Sequence, residues 1–399
     1  MVAAETTVAL LLAAGGSLFM AWSIGAGSSG STPFAPAVGA NAISILRAGF
    51  LVGILGLAGA TLQGANVTET VGRSLIRGVT ITPAAATLGL FIAAILVAIG
   101  VFVGYPIATA FTVTGAMIGV GLALGGAPAW AKYQEIAALW VLTPVLGGGS
   151  AFAIAWLLRQ DWSSDAIVIP TLGAVVGLLV ANIEFSVLAG PGAGASIAMA
   201  SATLVAGPQV AGLDGTAVLV SLGLAALVAG LLVLAIRQDP ATGQRRFLLA
   251  LGALVAFSAG GSQVGLALGP LLPLLSSAPI EIPLLAVLFG GGVGLLIGSW
   301  TGAPRMIKAL SQDYSSLGPQ RSIAALIPSF AIAQTAVFFG IPVSFNEIIV
   351  SAIIGSGYAA GVRNVSRAKM GYTVLAWVGS FVLAFGLSFA GYTVFSWLG

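Results

Sequence analysis

Two short stretches of the chain set a proline beside small polar residues and then run into apolar sequence. The first is Pro106-Ile107-Ala108-Thr109-Ala110-Phe111-Thr112, which leads to Gly119-Val120-Gly121. The second is Pro342-Val343-Ser344-Phe345-Asn346-Glu347, which leads to Gly355-Ser356-Gly357. Proline is well tolerated at a helix start and fixes where the helix begins. Thr109, Thr112, Ser344 and Asn346 then fall in or beside a first turn. There, hydroxyls and amides join backbone N–H groups left free at the positive end of the helix dipole. Such a tip can hold an anion. At a membrane surface the same residues would be ordinary helix caps.

A second pair of stretches offers similar chemistry. Gly25, Ala26, Gly27, Ser28 and Ser29 open a run that continues through Gly30-Ser31-Thr32-Pro33. Its glycines weaken a helix, and Pro33 lacks a donor. The counterpart is Gly260, Gly261, Ser262 and Gln263, with Gln263 as an amide donor. Both are expected to break helices and to present N–H groups and hydroxyls to an anion. Within a bilayer, irregular backbone survives only where it lines a cavity or packs in protein. Outside it, both would be flexible loops. Glu347 is the most unusual charge, because it falls in the first turn of an apolar helix. Intramembrane acids are rare and usually functional. Glu347 could bind Na⁺ or H⁺, or only complement the dipole. Glu69 and Glu184 are weaker candidates, expected near membrane ends. Arg47 begins an apolar run and reads as an interfacial anchor.

These residues need a frame, and composition says which. The chain has 399 residues, of which 58% are apolar and 6% charged, with 14 Lys or Arg and 11 Asp or Glu. Soluble domains carry about 25% charged residues, so a soluble globule is excluded. A membrane helix takes roughly 20 apolar residues, which allows about ten to twelve spans and no sizeable soluble domain. The chain contains no Cys and no His. Thiolate chemistry, disulfides, iron–sulfur clusters, Cys zinc sites, imidazole bases and haem His are therefore excluded. The net charge of +3 is spread over loops, which suits a membrane face rather than nucleic acid. Those basic loops follow the whole chain, so they do not fix its orientation. The start, Met1 to Thr7, has no Lys or Arg and carries Glu5. That differs from a signal peptide, so the first apolar run is expected to stay as a helix.

The chain also repeats itself. Gly104-Tyr105-Pro106-Ile107 returns as Gly340-Ile341-Pro342-Val343, and Gly119 and Gly121 return as Gly355 and Gly357. Trp140-Val141 returns as Trp377-Val378, and Gly25 as Gly260. Four landmarks in one order at nearly one offset indicate duplication. The division expected is a first repeat over 1–160, connecting membrane segments over 161–244 and a second repeat over 245–399. Duplicated all-helical membrane proteins include secondary transporters, which bind substrate near the midplane with broken helices. Channels also contain repeats. Nothing reads as a P-loop, so ATP-driven pumping within this chain is not expected.

At these same residues the chain resembles the inorganic phosphate transporter (PiT) family. That family carries G-A-N-D-x-x-N early in each repeat, then G-x-P-V-S-T-T-H and G-x-G. The first repeat here reads Ser23-Ile24-Gly25-Ala26-Gly27-Ser28, then Gly59-Ala60, Val67-Thr68-Glu69-Thr70, Gly104-Tyr105-Pro106-Ile107 and Trp140-Val141-Leu142-Thr143-Pro144. The second reads Gly260-Gly261-Ser262-Gln263-Val264, Gly269-Pro270-Leu271 and Gly340-Ile341-Pro342-Val343-Ser344. The likeness covers nearly the whole chain. Gly27-Ser28 and Ser262-Gln263 stand where the family has Asn-Asp, and Phe111 and Glu347 stand where it has His. The small-residue start is closest to the sulfate-permease branch.

The resemblance implies an all-α, polytopic, multi-pass protein of the cell membrane. Two inverted repeats would bring broken helices together near the midplane, and the protein would be a homodimer. It implies no enzyme activity, no cofactor and no nucleic-acid partner. The partners are an inorganic anion and the lipid bilayer. The expected function is a sulfate permease that works by alternating access with H⁺ or Na⁺ coupling. A cradle without aspartate suits a fully ionised dianion, whereas phosphate keeps a proton near neutral pH that a carboxylate can read. Loss of the aspartates also removes the expected sodium ligands, which leaves a Na⁺ site undefined and turns attention to Glu347 and Glu69. The alternatives are a phosphate or molybdate-like oxyanion symporter, an anion channel and a non-transporting membrane scaffold.

Overall fold

Helix follows the apolar runs along almost the whole chain. The computed structural model describes residues 2–162, 164–185, 188, 194–205, 207–210, 212–275, 282–361 and 365–398. The first part comprises α1 (Val2–Gly27), α2 (Ala35–Gly39), α3 (Ile45–Gln63), α4 (Ala65–Arg73), α5 (Pro83–Val103), α6 (Thr109–Ala123) and α7 (Trp130–Leu157). Three middle helices follow: α8 (Asp165–Ala181), α9 (Ile197–Leu204) and α10 (Gly215–Gln238). The last part comprises α11 (Pro240–Leu268), α12 (Leu272–Leu275), α13 (Leu284–Thr301), α14 (Ala303–Gln312), α15 (Pro319–Phe338), α16 (Phe345–Tyr358) and α17 (Arg367–Leu398). The strands are two-residue clasps. β1 (Ile76–Arg77) pairs antiparallel with β2 (Ala127–Pro128), and β3 (Glu184–Phe185) with β4 (Ala195–Ser196).

Nine of the described helices are long and apolar enough to cross a membrane, and α6 and α8 are shorter apolar helices. At 15 and 14 residues, α6 and α16 reach only part of the way across about 30 Å of hydrocarbon. Leu219, Leu227 and Leu231 of α10 and Leu375, Val382 and Phe395 of α17 are exposed. In water such a surface would be a liability, but in lipid it is the protein's normal exterior.

Packing repeats between the two parts. Helix α1 packs on α5, and α11 packs on α15. The hairpin of α5 and α6 matches that of α15 and α16. Other contacts are exchanged: α1 packs on α13 and α11 on α3, while α6 packs on α17 and α16 on α7. The two parts therefore interlock. Helix α11 starts at Pro240, with Asp239 as its cap, so this helix crosses the sequence-based boundary at 245.

Glycine makes the interlock close. A Cβ on Gly25 would strike the Leu295 carbonyl, and one on Gly260 would strike the Gly56 carbonyl. A Cβ on Gly298 would strike the Trp22 carbonyl, and one on Gly59 that of Phe257. Backbone lies directly on backbone at both crossings, as small residues allow between membrane helices. This corrects one expectation. Gly260, Gly261, Ser262 and Gln263 do not break a helix, because α11 runs through them to Leu268. Their glycines serve close packing, and Leu266, Ala267 and Leu268, good helix formers, carry the helix on.

Candidate functional site

The two proline-bearing stretches form matching helix tips. Helix α5 ends at Gly104, which has φ +81°; the N–H groups of Gly104 and Tyr105 both donate to the Gly100 carbonyl, at 2.9 and 3.0 Å. Left-handed backbone of this kind is the usual glycine stop. Gly340 plays the same part after α15, with φ +62°. After each stop an extended segment leads to a new helix. The first bond of α6 runs from the Thr112 N–H to the Ala108 carbonyl at 3.0 Å, and that of α16 from the Ile348 N–H to the Ser344 carbonyl at 3.1 Å. The N–H groups of Thr109, Ala110 and Phe111, and of Phe345, Asn346 and Glu347, precede those bonds and have no partner within their helices.

Cross-bonds tie the tips into one cluster. The Gln263 amide is its centre. Its Oε1 accepts from Thr109 Oγ1 at 2.8 Å and Ser28 Oγ at 3.2 Å. Its Nε2 donates to the Val343 carbonyl at 2.6 Å and, more weakly, to Ser262 Oγ at 3.5 Å. Asn346 Nδ2 donates to the Ile107 carbonyl at 2.6 Å and the Gly27 carbonyl at 2.9 Å. Two tryptophans complete the frame by exchange. Trp140 Nε1 donates to the Pro342 carbonyl at 3.2 Å, and Trp377 Nε1 to the Pro106 carbonyl at 2.8 Å. Sequence repetition marked this pair as landmarks but gave no sign of their role as donors to the opposite tip.

Four buried polar atoms in and beside this cluster have no protein partner: Ser29 Oγ, Ser344 Oγ, Asn346 Oδ1 and Glu347 Oε2. Their residues are at most 2% exposed. Buried polar atoms are normally satisfied, so those on the two tips and the neighbouring Ser29 indicate a place for a ligand or water.

The sequence-derived candidates fall into three groups. Ser28, Ser29, Thr109, Ser262, Gln263, Ser344, Asn346 and Glu347 are brought together as described. Gly25, Ala26 and Gly27 are also near, yet they form the last turn of α1. A helix end presents carbonyls and negative potential, so these three do not supply the expected N–H donors; the Gly27 carbonyl accepts from Asn346 instead. Gly260 and Gly261 likewise have their N–H groups within α11. Thr112 is buried, but its hydroxyl is turned back on the Ala108 carbonyl at 3.0 Å. Glu69 is exposed on α4 and makes none of the cluster's hydrogen bonds, because the short α4 turns its charged residues outward. The chain after α1 does turn, as expected: the N–H groups and hydroxyls of Ser31 and Thr32 fold back on the Ser28 carbonyl.

A second polar cluster is represented among the sequence-derived candidates only by Glu184. Gln63 of α3 and Gln334 of α15 exchange amide bonds at 3.3 and 3.2 Å. Gln63 also donates to the Glu184 carbonyl at 2.8 Å, and Gln334 to Ser258 Oγ on α11 at 2.5 Å. The available signal was an amide in each of two otherwise apolar runs. Glu184, in β3, has its carboxyl held above the usual carboxylate range by burial. Among the described residues no three Asp or Glu side chains gather as a metal-ion site would require.

Comparison with known proteins agrees with this architecture. The sequence signature of the PHO4 phosphate transporter family matches residues 24–388. An inorganic phosphate transporter of Arabidopsis thaliana, designated 2-1 and chloroplastic, is 26% identical over 90% of this chain and 68% of its own length. A putative phosphate permease of Thermococcus kodakarensis is 24% identical over 90% of each chain. A solved structure described as the sodium-dependent phosphate transporter superposes with a TM-score of 0.81, covering 98% of this chain and 100% of its own at 23% identity.

Proposed function

Because the chain belongs to the phosphate transporter family, we propose that this multi-pass membrane protein carries inorganic phosphate by alternating access, coupled to Na⁺ or H⁺. The anion would sit between the α6 and α16 tips. The observation that carries this reading is the convergence of two positive helix ends on buried, unpartnered hydroxyls at Ser29 and Ser344. Anions favour such ends, and transporters place them at the substrate. Apart from Glu347, the side chains of the cradle are uncharged and several can donate, which suits a tetrahedral anion. The named relatives are phosphate transporters and permeases, and the structural neighbour is described as sodium-dependent.

Sulfate, the main expectation from sequence, becomes the second reading; it rests on the small-residue start and on the missing aspartates. Gly27-Ser28 and Ser262-Gln263 leave no aspartate beside the tips, which removes an obvious acceptor for a phosphate proton. The relatives named above are phosphate transporters and permeases, so phosphate takes precedence. The proposal includes two inverted repeats, 1–160 and 245–399, flanking 161–244. It also includes a homodimer with one path per protomer, to be checked by the mass of the detergent-solubilised protein.

The deciding experiment is counterflow in proteoliposomes preloaded with phosphate. Saturable exchange of labelled phosphate, weakly inhibited by sulfate, is expected. Sulfate exchange without phosphate exchange would establish the second reading. Currents that reverse at the anion equilibrium potential and ignore Na⁺ and pH gradients would make the protein a channel.

A further inference from the structure

Glu347 belongs to two places at once. Its backbone N–H is in the first turn of α16, at the proposed anion cradle. Its side chain lines a cavity of about 990 Å³ between α7 and α17, walled also by Phe111, Trp140, Phe152 and Trp377. The wall residues Val141 and Val378 are exposed on the lipid-facing side, so this cavity opens laterally. The Glu347 side chain is buried, and its Oε2 has no partner.

The charges around it are few. Tyr358 is the other titratable residue lining the cavity. Helix α7 carries Lys132, Tyr133 and Glu135 in its first turns and Arg159 just past its end; Lys132 and Glu135 pair with each other at 3.0 Å, and Tyr133 donates to the Leu75 carbonyl. Helix α15 carries Arg321 near its start, and α17 carries Arg367, Lys369, Tyr372 and Tyr392. Lys369 pairs with Asp313 at 3.3 Å, and the Tyr392 hydroxyl lies 3.3 Å from that of Thr82. Helix α6 has no titratable residue. None of these charged groups lines the cavity.

We infer that Glu347 is the coupling acid, taking up one proton that accompanies each anion, and that it does not ligate sodium. This rests on the phosphate-transporter reading above. A hard cation needs several oxygen ligands. The oxygen-bearing side chains that line the cavity with Glu347 are Ser351, Tyr358 and Thr373. Thr373 Oγ1 already bonds Tyr314 and the Lys369 carbonyl, and the remaining walls are mostly aromatic or aliphatic. Such a site holds a neutral carboxyl at least cost. Coupling then follows from charge. An ionised Glu347 repels an anion on its own helix tip, whereas a protonated one does not. Each ligand strengthens the other's binding, as linkage requires. The carboxylate oxygen gains the proton on one side of the membrane and gives it up on the other, with no other bond changed.

The test uses the full chain in sodium-free proteoliposomes, with the membrane potential clamped at zero. Labelled phosphate accumulation is read with and without an inward proton gradient. One proton per anion predicts up to about tenfold more accumulation per pH unit. Glu347→Gln is expected to lose this response, read as the ratio of accumulation with and without the proton gradient whatever its own exchange rate, and Glu347→Asp to regain part of it. Gradient-driven accumulation by Glu347→Gln overturns the inference. So does a wild type that ignores the proton gradient and requires a sodium gradient, which decides the matter even where Glu347→Gln does not fold. Absence of any phosphate exchange by the wild type would instead remove the reading beneath it, and the inference with it.

Discussion

At the scale of single residues, satisfied and unsatisfied polar groups make opposite predictions. Gln263 holds Ser28, Thr109 and the Val343 carbonyl together. Gln263→Ala strands all three, and each buried group left without a partner costs about 1–3 kcal/mol. The variant should unfold at a clearly lower temperature in detergent and lose phosphate binding. Ser344 differs, because its hydroxyl has no protein partner to strand. Ser344→Ala should leave the melting temperature unchanged within about 0.5 kcal/mol of stability. It should weaken phosphate binding about tenfold or more, since a hydrogen bond to a charged group is worth about 1.5–3 kcal/mol. Unchanged affinity, measured by calorimetric titration, would remove Ser344 from the anion cradle. The tips themselves were legible in sequence, because proline and small polar residues declare a helix start. The partners of those tips were not. A tryptophan indole donating to a carbonyl some 200 residues away is a tertiary fact with no local pattern.

Among the elements, the same glycines that suggest helix breaks act as helix contacts. Sequence shows only that Gly25 and Gly260 weaken a helix. Whether the helix yields depends on the residues that come after them: Ser31, Thr32 and Pro33 end α1, whereas Val264 to Leu268 carry α11 onward. The function of Gly59 and Gly298 emerges only when α3 and α13 lie against α11 and α1. Gly59→Ala and Gly298→Ala should therefore destabilise to a similar degree, by about 1–3 kcal/mol as overpacking does. Gly290 in α13 has open space where a Cβ would go. Gly290→Ala should stabilise by up to about 1 kcal/mol through helix propensity. Thermal unfolding followed by tryptophan fluorescence separates the three, and equal effects would refute the close-crossing argument. The cap of α11 adds a pH signature. The Thr242 hydroxyl, followed by backbone N–H bonds, holds Asp239 below its ordinary range. A depressed carboxyl contributes stability that is complete above its unfolded value, about 3.9, and is lost as pH falls through the folded value. Asp239→Ala should thus lower the melting temperature at pH 7, with the gap closing in acid.

For the whole molecule, the contacts imply opposite directions for the two half-helices. Gly121, near the end of α6, packs on Ile76, just before α5 begins. Gly357, near the end of α16, packs on Ser315, just before α15 begins. Lys369 lies over the Tyr105 ring, 4.1 Å from its centre, and pairs with Asp313. This places the far end of α5 beside the start of α15. If α5 crosses the bilayer, the ends of α6 and α16 lie on opposite faces, which is the arrangement of transporters built from inverted repeats. The chain has no cysteine, so single replacements can report this without background. Ala127→Cys marks the end of α6, and Ala360→Cys the end of α16. In sealed vesicles of uniform orientation, a membrane-impermeant maleimide should label one variant from outside and the other only after permeabilisation. Labelling of both from the same side would mean that the halves run parallel. The two tips would then share one access face, and transport by exchange of roles between the repeats would fail on topology alone.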